Sequence, residues 1–250
     1  MIAAMAVAAG AAFAGTDPIT SANVVGFAPA PAMESEGEAV GGVLFMVPQF
    51  KNIAGAEYSI QDIVLDPENA SPFEDNIQIF SQEGDGDVIE VYLYVNNYGK
   101  QKITGWLGDD GVTLADRAIK VGEGVAVETM NPCTITTSGE VASGESSFDM
   151  EVAGVYFIGN PCPTTMDIQD FALDADVASP FEDNIQFFDL EGAGDVIEVY
   201  MYVSNYGKQK VTGWLGDDGV SLAEREVIPG EGMAVEVMND GSSVKLPAAL

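Results

Sequence analysis

The chain contains one long segment twice. Residues 60–131 recur as residues 168–239 at a constant offset of 108 positions without a gap, and 52 of the 72 aligned positions are identical. A repeat of this length is a whole domain rather than one unit of a solenoid, so the sequence predicts two tandem domains of the same fold. Duplicated surfaces are typical of lattice, filament and multivalent binding proteins, whereas an enzyme needs only one active site. We therefore expect a non-enzymatic protein.

Charge and hydrophobicity narrow the possible partners. The 250 residues include 40 acidic and 9 basic side chains, for a formal charge of −31, and 47% of residues are hydrophobic. Nucleic acid and anionic membranes are excluded as partners because phosphate binding needs clustered Lys and Arg. The hydrophobic content excludes a disordered chain. We expect folded domains with an acidic surface, which suits high salt or attracts divalent cations.

Histidine is absent from the sequence. Its absence removes the commonest general base, the Ser-His and Cys-His nucleophile systems, and the commonest transition-metal ligand. Adjacent carboxylates such as Glu74 and Asp75 are compatible with a glycosidase, but 40 acidic residues make such pairs inevitable. The sequence therefore predicts neither catalytic residues nor a cofactor.

A signal-like N-terminal segment indicates export, and export in turn bears on the state of the cysteines. Residues 1–15 are apolar and include Ala12-Phe13-Ala14, as in the hydrophobic and cleavage regions of a secretory signal, and the run is too short for a membrane span. Cys133 and Cys162 are the only cysteines, and in an exported protein an even count favours a disulfide. We predict a Cys133–Cys162 disulfide, with two separate buried thiols as the alternative.

Composition divides the chain into six segments. An Ala- and Pro-rich stretch predicts an extended N-terminal arm, and a Ser-, Thr- and Gly-rich stretch predicts a linker in which residues 134–137 can form a short strand. The segments are a signal-like segment (1–15), the arm (16–40), a first domain (41–132), the linker (133–147), a second domain (148–240) and a tail (241–250).

Each copy has the pattern of an all-β fold. Short hydrophobic runs separated by Gly and Asp predict a β-sandwich or barrel-like domain in each half. Residues 88–107 predict two strands joined by a Gly-containing turn, and residues 113–117 predict one helical turn. Further strands are predicted at 43–48, 77–81, 124–129, 155–159, 185–189 and 232–237.

The alternation along the first hairpin predicts two different faces. Ile89, Val91, Leu93 and Val95 share one face, which we assign to the core, with Leu93 opposite Ile103. The other face is amphipathic, and aromatic rings on a flat sheet can stack on sugars, so it is a candidate carbohydrate site. The alternative is that its rings cover a second core layer or the joint between domains. The aromatic residues of this face are Tyr92, Tyr94, Trp106, Tyr200, Tyr202 and Trp214.

An acidic turn in each copy raises the possibility of calcium, because hard cations bind clustered oxygen ligands. Asp109 and Asp110 in the first copy correspond to Asp217 and Asp218 in the second. Neither turn has the length of an EF-hand loop, and the alternative is a pair of solvated hairpin turns.

The basic residues are concentrated at equivalent places. Six of the nine recur at matching positions of the two copies, and four of these lie at the predicted hairpin tips. We interpret the tips as contacts for an acidic face of another domain or subunit. The alternative is that they only moderate local repulsion. The four tip residues are Lys100, Lys102, Lys208 and Lys210.

The N-terminal arm is apolar although it lies outside the repeats. Its apolar residues include Ile19, Val24, Val25 and Phe27. An exposed apolar segment is costly unless it finds a sheet edge or a groove. Because strand addition is an established way to link subunits, we predict that the arm pairs with a neighbouring subunit.

Four short motifs stand out: Thr20-Ser-Ala-Asn-Val-Val-Gly-Phe, Phe45-Met-Val-Pro-Gln-Phe-Lys-Asn-Ile, Gly105-Trp and Gly122-Glu-Gly-Val-Ala-Val. Together they resemble a family of secreted, uncharacterised bacterial β-proteins from planctomycete-like and verrucomicrobia-like bacteria. In the last motif this chain departs from the family, which tends to have aromatic residues where Val125-Ala126 and Met233-Ala234 stand. The resemblance implies an exported surface or matrix protein without known catalytic residues.

These features predict an exported, non-enzymatic structural protein of two tandem β-domains. We expect it to self-associate into an extracellular filament or surface layer, with its own copies as partners and without a membrane span. The main alternative is a carbohydrate-binding protein that uses the duplicated Tyr/Trp face, with polysaccharide as the partner. A third is a calcium-dependent adhesin. Sugar stacking requires open rings at Trp106 and Trp214, so their exposure separates the first two.

Overall fold

The chain folds almost entirely into antiparallel β-strands. The computed structural model describes residues 25–29, 41–51, 58–141, 146–190 and 193–246. Within these ranges there is no α-helix and no closed barrel, and the regular structure consists of twenty strands and two 3-10 turns. The prediction of an all-β, sandwich-like fold is confirmed.

The N-terminal half is defined here as residues 25–141. A five-stranded sheet in the order β2-β10-β6-β7-β8 faces a second sheet, in which β11 pairs with β1, β3 and β5. The strands are β1 (Val25–Pro29), β2 (Gly42–Met46), β3 (Phe50–Lys51), β4 (Tyr58–Ser59), β5 (Ile63–Leu65), β6 (Asn76–Phe80), β7 (Val88–Tyr98), β8 (Ile103–Trp106), β9 (Ala118–Ile119), β10 (Val125–Thr129) and β11 (Ile135–Val141).

The C-terminal half is defined as residues 146–246 and has the same order in its main sheet, β13-β19-β15-β16-β17. The sequence predicts six shorter strands outside the hairpins, three in each half. All six are confirmed, and their ends agree with the prediction to within two residues. The strands are β12 (Ser146–Met150), β13 (Gly154–Gly159), β14 (Met166–Asp167), β15 (Asn184–Phe188), β16 (Val196–Tyr206), β17 (Val211–Trp214), β18 (Glu226–Val227), β19 (Gly232–Val237) and β20 (Ser242–Leu246).

Each half has its own hydrophobic core. One cluster of buried side chains extends from Leu44 to Ile135 and the other from Phe148 to Leu246. The largest member of each cluster is a fully buried tryptophan. Leu190 of the C-terminal half also packs against the first cluster and Val121 of the N-terminal half against the second, so the division into two tandem domains stays a prediction.

Two segments differ from their predicted roles. Strand β1 belongs to the predicted N-terminal arm, but it pairs with β11 of its own chain, from Val25↔Glu140 to Pro29↔Thr136. At the start of the C-terminal half, β12 pairs with β20 in the same way. Strand β11 and the start of β12 also occupy much of the predicted linker. Each half is thus closed by pairing its first strand with its last; Ile19, Val24 and the other residues before Val25 lie outside the described ranges.

Each half contains one short helical turn, but not where it is predicted. Single 3-10 turns lie at Ile60–Asp62 and Ile168–Asp170, and each begins with a capping box. The helical turn predicted over residues 113–117 is wrong, because Leu114 instead forms a bridge with Leu107 and closes a tight loop. Such a loop and a helical turn have similar local composition, so composition does not separate them.

Candidate functional site

The two faces of the long hairpin are the reverse of the prediction, except that Val95 and the equivalent Val203 are fully buried as predicted. Tyr94 pairs with Trp106 and Tyr98 with Ile103, instead of Leu93 with Ile103. The aromatic side chains point into the core of each half, where none is more than 9% exposed. Since a sugar can stack only on an open ring, this face is not available for carbohydrate. The six buried residues are Tyr92, Tyr94, Trp106, Tyr200, Tyr202 and Trp214.

The indole of Trp106 explains why the aromatic face is buried. Its Nε1 donates a hydrogen bond of 2.8 Å to the Ile63 carbonyl oxygen. The side chain of Gln61 bonds both backbone groups of Trp106, accepting from the N–H at 3.0 Å and donating to the carbonyl oxygen at 2.9 Å. Gly105, at φ 138°, leaves room for this amide, because an added Cβ would lie 2.4 Å from Gln61 Oε1. Burial is favourable because the ring is large and its polar atom has a partner.

The C-terminal half repeats this arrangement. Trp214 Nε1 donates to the Phe171 carbonyl oxygen at 3.0 Å, and Gln169 bonds the backbone of Trp214 as Gln61 bonds that of Trp106. Gly213 has the same φ of 138°. The Gly-Trp motif is therefore a structural element of each core.

The opposite face of the hairpin turns an apolar surface to solvent. Its central residues are 53%, 52% and 38% exposed in β7, and 55%, 51% and 39% exposed in β16. Single exposed apolar side chains are ordinary, but successive outward positions of one strand make a contiguous patch, and such patches mark interaction sites. We define the aliphatic stripe as Ile89, Val91 and Leu93 in β7, with Ile197, Val199 and Met201 in β16.

The backbone along the stripe has an open edge. Pairing between β7 and β8 begins at Tyr94, with one further hydrogen bond of 2.8 Å from the Leu107 N–H to the Leu93 carbonyl oxygen. On the β8 side of β7, no strand in the described ranges pairs with Ile89 or Val91. On the opposite side, β6 pairs with β7. In the C-terminal half, β17 likewise begins its pairing with β16 after the stripe. Unpaired N–H and C=O groups on an edge strand are a template for another strand.

Charged side chains near the stripe pair with one another. Arg117 Nη2 lies 2.7 Å from Glu123 Oε1, and its Nε lies 3.3 Å from Glu90 Oε2. Burial and a hydrogen bond donated to Glu90 raise the pKa of Tyr92 to about 12. Arg225 makes the equivalent ion pairs in the C-terminal half. Each arginine balances one of its two glutamates, so each group keeps one net negative charge, and the side chains of the stripe itself are aliphatic.

The basic tips are exposed in both halves, as predicted. Within the described part of the chain none of the four lysines forms an ion pair. Each tip borders a shallow groove, of about 240 Å³ beside Tyr98 and Val112 and about 270 Å³ beside Tyr206 and Val220. The positive charges are therefore accessible to an acidic partner, and their docking stays a prediction. The exposed residues are Lys100, Lys102, Lys208 and Lys210.

The acidic turns are held by their own hydrogen bonds. The carboxylate of Asp110 accepts from the N–H groups of Thr113 and Val112 and from the Thr113 hydroxyl, and these bonds lower the pKa of Asp110. Bonds from Ser221 and Val220 lower the pKa of Asp218 in the same way. Both oxygens of each carboxylate already stabilise a turn. The described residues contain no metal-binding cluster of three or more acidic or cysteine side chains, so the geometry favours solvated turns over calcium at Asp109, Asp110, Asp217 and Asp218.

Sequence reasoning missed an exposed aromatic residue near each tip. Phe73 is 48% exposed at φ 68°, and its ring meets that of Tyr98 edge to face at 5.1 Å. Positive φ is costly for a residue with a side chain. The buried carboxylate of Asp75 stabilises this loop by accepting hydrogen bonds from the N–H groups of Ser71 and Met130. Phe181 repeats the arrangement, and the only sequence signal was the identity of this loop in the two copies.

The predicted Cys133–Cys162 disulfide is wrong. The two cysteines are buried and not bonded to each other, and each lies in a different half. The Cys133 thiol lies 3.7 Å from the carbonyl oxygen of Asp66. Burial raises the pKa of both thiols to about 11. The thiolate that disulfide exchange requires is therefore scarce at neutral pH.

The stripe and the tips are accessible in both halves. No helix of the described ranges is long and apolar enough to cross a membrane. Comparisons with protein-family models, with curated proteins and with solved structures find no match to this chain.

Proposed function

We propose that this chain is a non-enzymatic structural protein that assembles with further copies of itself through the aliphatic stripes of β7 and β16. One observation carries the proposal: an exposed aliphatic face coincides with an open strand edge at the same place in both halves. Two such surfaces per chain suffice for open-ended growth, since each copy can bind two neighbours. An exported assembly is supported by the apolar segment 1–15 and by the motif resemblance.

A second copy is the partner that fits this surface. An open edge is satisfied by the edge of another strand, and an aliphatic face is best covered by another aliphatic face. The stripe takes the place of the N-terminal arm as the proposed contact, because β1 pairs within its own chain.

Charge complementarity supports the same partner. In an antiparallel pairing of two open edges, the β7–β8 tip of one copy extends past the start of β7 in the other. Glu83, Asp85 and Asp87 lie exposed at that start. Lys100 and Lys102 of the first copy would then meet acidic side chains, which favours this orientation.

Ionic strength acts on this assembly in two ways. The formal charge of −31 makes copies repel one another, and salt screens this repulsion. Salt also screens the attraction between the lysine tips and acidic loops. We expect assembly to increase with salt overall, and the lysine contribution to be largest at low salt.

Substitution of both stripes tests the proposal. Val91→Glu combined with Val199→Glu places a charge in the centre of each stripe, and burying an unpaired carboxylate in an interface is unfavourable. We expect the wild-type protein to form large assemblies and this variant to be monomeric. Sedimentation velocity over a concentration series and negative-stain microscopy measure the difference.

The matched control is Val64→Glu combined with Val152→Glu. These valines lie outside the stripe, one in each half, and are 50% and 48% exposed, so the charge change and the solvent exposure are the same. The control should assemble like the wild type. A wild-type protein that stays monomeric at its highest soluble concentration, or a stripe variant that assembles like the control, would contradict the proposal.

Charge reversal of the four tip lysines tests the second contribution. The combined substitutions Lys100→Glu, Lys102→Glu, Lys208→Glu and Lys210→Glu should weaken assembly at low salt. The difference from wild type should vanish near 1 M salt, where the Debye length is about 3 Å. If the reversed protein assembles normally at low salt, the tips do not dock, whereas the stripe contact is unaffected by that result.

A further inference from the structure

The two halves contact each other through four stacked phenylalanine rings. The ring centroids of Phe45 and Phe188 are 4.0 Å apart, and those of Phe80 and Phe157 are 3.8 Å apart. Phe80 and Phe188 are equivalent in the repeat, and Phe45 and Phe157 pair with the equivalent alanines of β10 and β19. The two ring pairs are therefore the same contact with the halves exchanged.

The backbone around the rings follows the same symmetry. Met46 forms an isolated antiparallel bridge with Glu231, and Ile158 forms one with Glu123. These two bridges also interchange when the halves are exchanged. A pseudo-two-fold axis therefore passes between β2 and β13, where the rings of Phe45 and Phe157 stack at a centroid distance of 5.4 Å.

Close backbone approach at this axis depends on glycine in both halves. A Cβ added to Gly124 would lie 2.8 Å from the carbonyl carbon of Phe157, and one added to Gly232 would lie 2.5 Å from that of Phe45. Although 20 of the 72 aligned positions differ between the repeats, five pairs of equivalent residues near the axis are identical, and one pair differs: Val47 packs close to its equivalent, Gly159. The identical pairs are Val43 and Val155, Phe45 and Phe157, Phe80 and Phe188, Gly86 and Gly194, and Gly124 and Gly232.

We propose that this interface is self-complementary and also forms between like halves of two chains, so that the N-terminal half of one copy pairs with the N-terminal half of another. An isologous contact requires that the same surface patch be present on both sides, which these residues provide. The two clusters of buried side chains are distinct; Leu190 packs against the N-terminal cluster and Val121 against the C-terminal one, so separating the halves exposes these two side chains but leaves each cluster in place. This exchange does not depend on the aliphatic stripes.

Contacts beside the two-fold axis favour pairing of the two halves within one chain. We call this arrangement the closed chain. Gly122 packs against Leu246, whereas the equivalent Gly230 packs against Gln49, so the flanks of the two halves are not interchangeable. Gln49 is fully buried, and its side-chain amide has no hydrogen-bond partner among the described residues. We expect exchange chiefly when chains refold together at high concentration.

Cross-linking at the axis distinguishes the two pairings. In a Cys133→Ala, Cys162→Ala background, Phe45→Cys places one thiol at the axis of each chain. Within a closed chain this thiol faces Phe157, whereas paired N-terminal halves bring two introduced thiols together. After refolding at two concentrations, a short bis-maleimide should give a covalent dimer. While the dimer is the minor species, its fraction should rise about tenfold for a tenfold rise in concentration.

The control variant carries Phe45→Cys and Phe157→Cys together. It should cross-link within one chain in the closed protein. The proposal is overturned if this control cross-links internally while Phe45→Cys alone gives no covalent dimer at any concentration.

A second measurement keeps the phenylalanine stack intact. Unlabelled and isotope-labelled chains that carry the stripe substitutions Val91→Glu and Val199→Glu are refolded together, and native mass spectrometry counts mixed dimers. Mixed dimers support exchange, since the stripe contact is disabled. Chains locked internally through positions 45 and 157 should give none; mixed dimers in the locked protein, or none in the unlocked protein, would overturn the proposal. Neither outcome depends on whether the wild type assembles through its stripes.

Discussion

The N-terminal and C-terminal halves differ in their apolar packing but agree in their hydrogen-bonded framework. Ile63 and Ile79 of the first core are replaced by Phe171 and Phe187 in the second. Tyr58 of the N-terminal half likewise corresponds to Met166, and both residues pair with equivalent strands, β9 and β18. Apolar side chains of different shape can fill one core together, so these positions were free to diverge.

The framework residues are the same in both halves because each has a polar atom that must be satisfied. They include the Gln that bonds the Trp backbone, the buried Asp that holds the exposed Phe loop, and the Arg between two Glu. Losing one partner of a buried hydrogen bond costs more than a change of apolar shape. Equivalent substitutions in the two halves therefore measure whether the shared framework or the divergent packing determines stability.

The largest effect is expected from removing either tryptophan. Trp106→Ala and Trp214→Ala should each destabilise their half by about 3–5 kcal/mol, because each deletes a fully buried ring. If the framework dominates, the two losses should agree within about 1 kcal/mol. Chemical denaturation followed by circular dichroism measures the loss in each variant, while fluorescence of the remaining tryptophan follows the unmutated half, and the exposed Val64→Ala is the control. Clearly unequal losses would show that the divergent packing matters more.

Removing either arginine should have the next largest effect on stability, and the loss should differ between the two halves. Arg117→Met and Arg225→Met leave Glu123 and Glu231, each 1% exposed, without a counter-ion, at a cost of about 3 kcal/mol. The guanidinium of Arg225 also lies 3.6 Å from the centroid of the Phe187 ring. The C-terminal half should therefore lose about 0.5–1 kcal/mol more.

The matched control for this difference is Phe187→Ile, which gives the C-terminal half the residue found at the equivalent position 79. In that background the additional loss from Arg225→Met should disappear. The wild type, Arg225→Met, Phe187→Ile and the double variant form a double-mutant cycle, and thermal and chemical denaturation measure the stability of each. A coupling energy near zero would rule out a contribution from the ring.

A smaller effect is expected from the glycines before the tryptophans. Gly105→Ala and Gly213→Ala should each cost about 1–3 kcal/mol, since both residues have φ 138° and an added Cβ would meet the framework glutamine. Gly99→Ala is the control, because its φ is also positive but no atom lies within 4 Å of an added Cβ. Denaturant midpoints should fall further for the first two variants than for the control. Equal shifts would mean that backbone strain alone matters.

The smallest effects concern two pairs of aspartates that titrate in opposite directions. Burial raises the pKa of Asp75 and Asp183, whereas turn hydrogen bonds lower the pKa of Asp110 and Asp218. The first pair therefore stabilises the fold at acidic pH and loses this contribution as pH rises through the folded-state pKa. The second pair contributes above the unfolded value of about 3.9 and loses its contribution as pH falls through the folded-state pKa.

Carboxyl carbon chemical shifts followed by NMR against pH measure these four aspartates directly. Midpoints should lie above about 3.9 for the buried pair and below it for the turn pair. Asp75→Asn and Asp110→Asn assign the signals. One common midpoint for all four residues would contradict the environments described here.

The sequence by itself determined the duplication, the all-β fold, the strand positions and the exposed basic tips. These features are local or come from comparing the chain with itself. Residues 76–80 and 184–188, for example, form strands because short hydrophobic runs end at Gly- and Asp-rich turns. The identity of the two copies also indicates that a surface on one half occurs on the other.

Only the tertiary structure decided which face of the hairpin is buried. Alternation separates two faces, but both faces of β7 are apolar enough to form a core, so the pattern does not choose between them. The choice depends on the bond from Trp106 Nε1 to the Ile63 carbonyl oxygen, 43 positions earlier in the chain. The pairing of β1 with β11, the separation of the cysteines and the two-fold axis between the halves are equally non-local. They depend on which distant surfaces meet, and local composition carries no record of that.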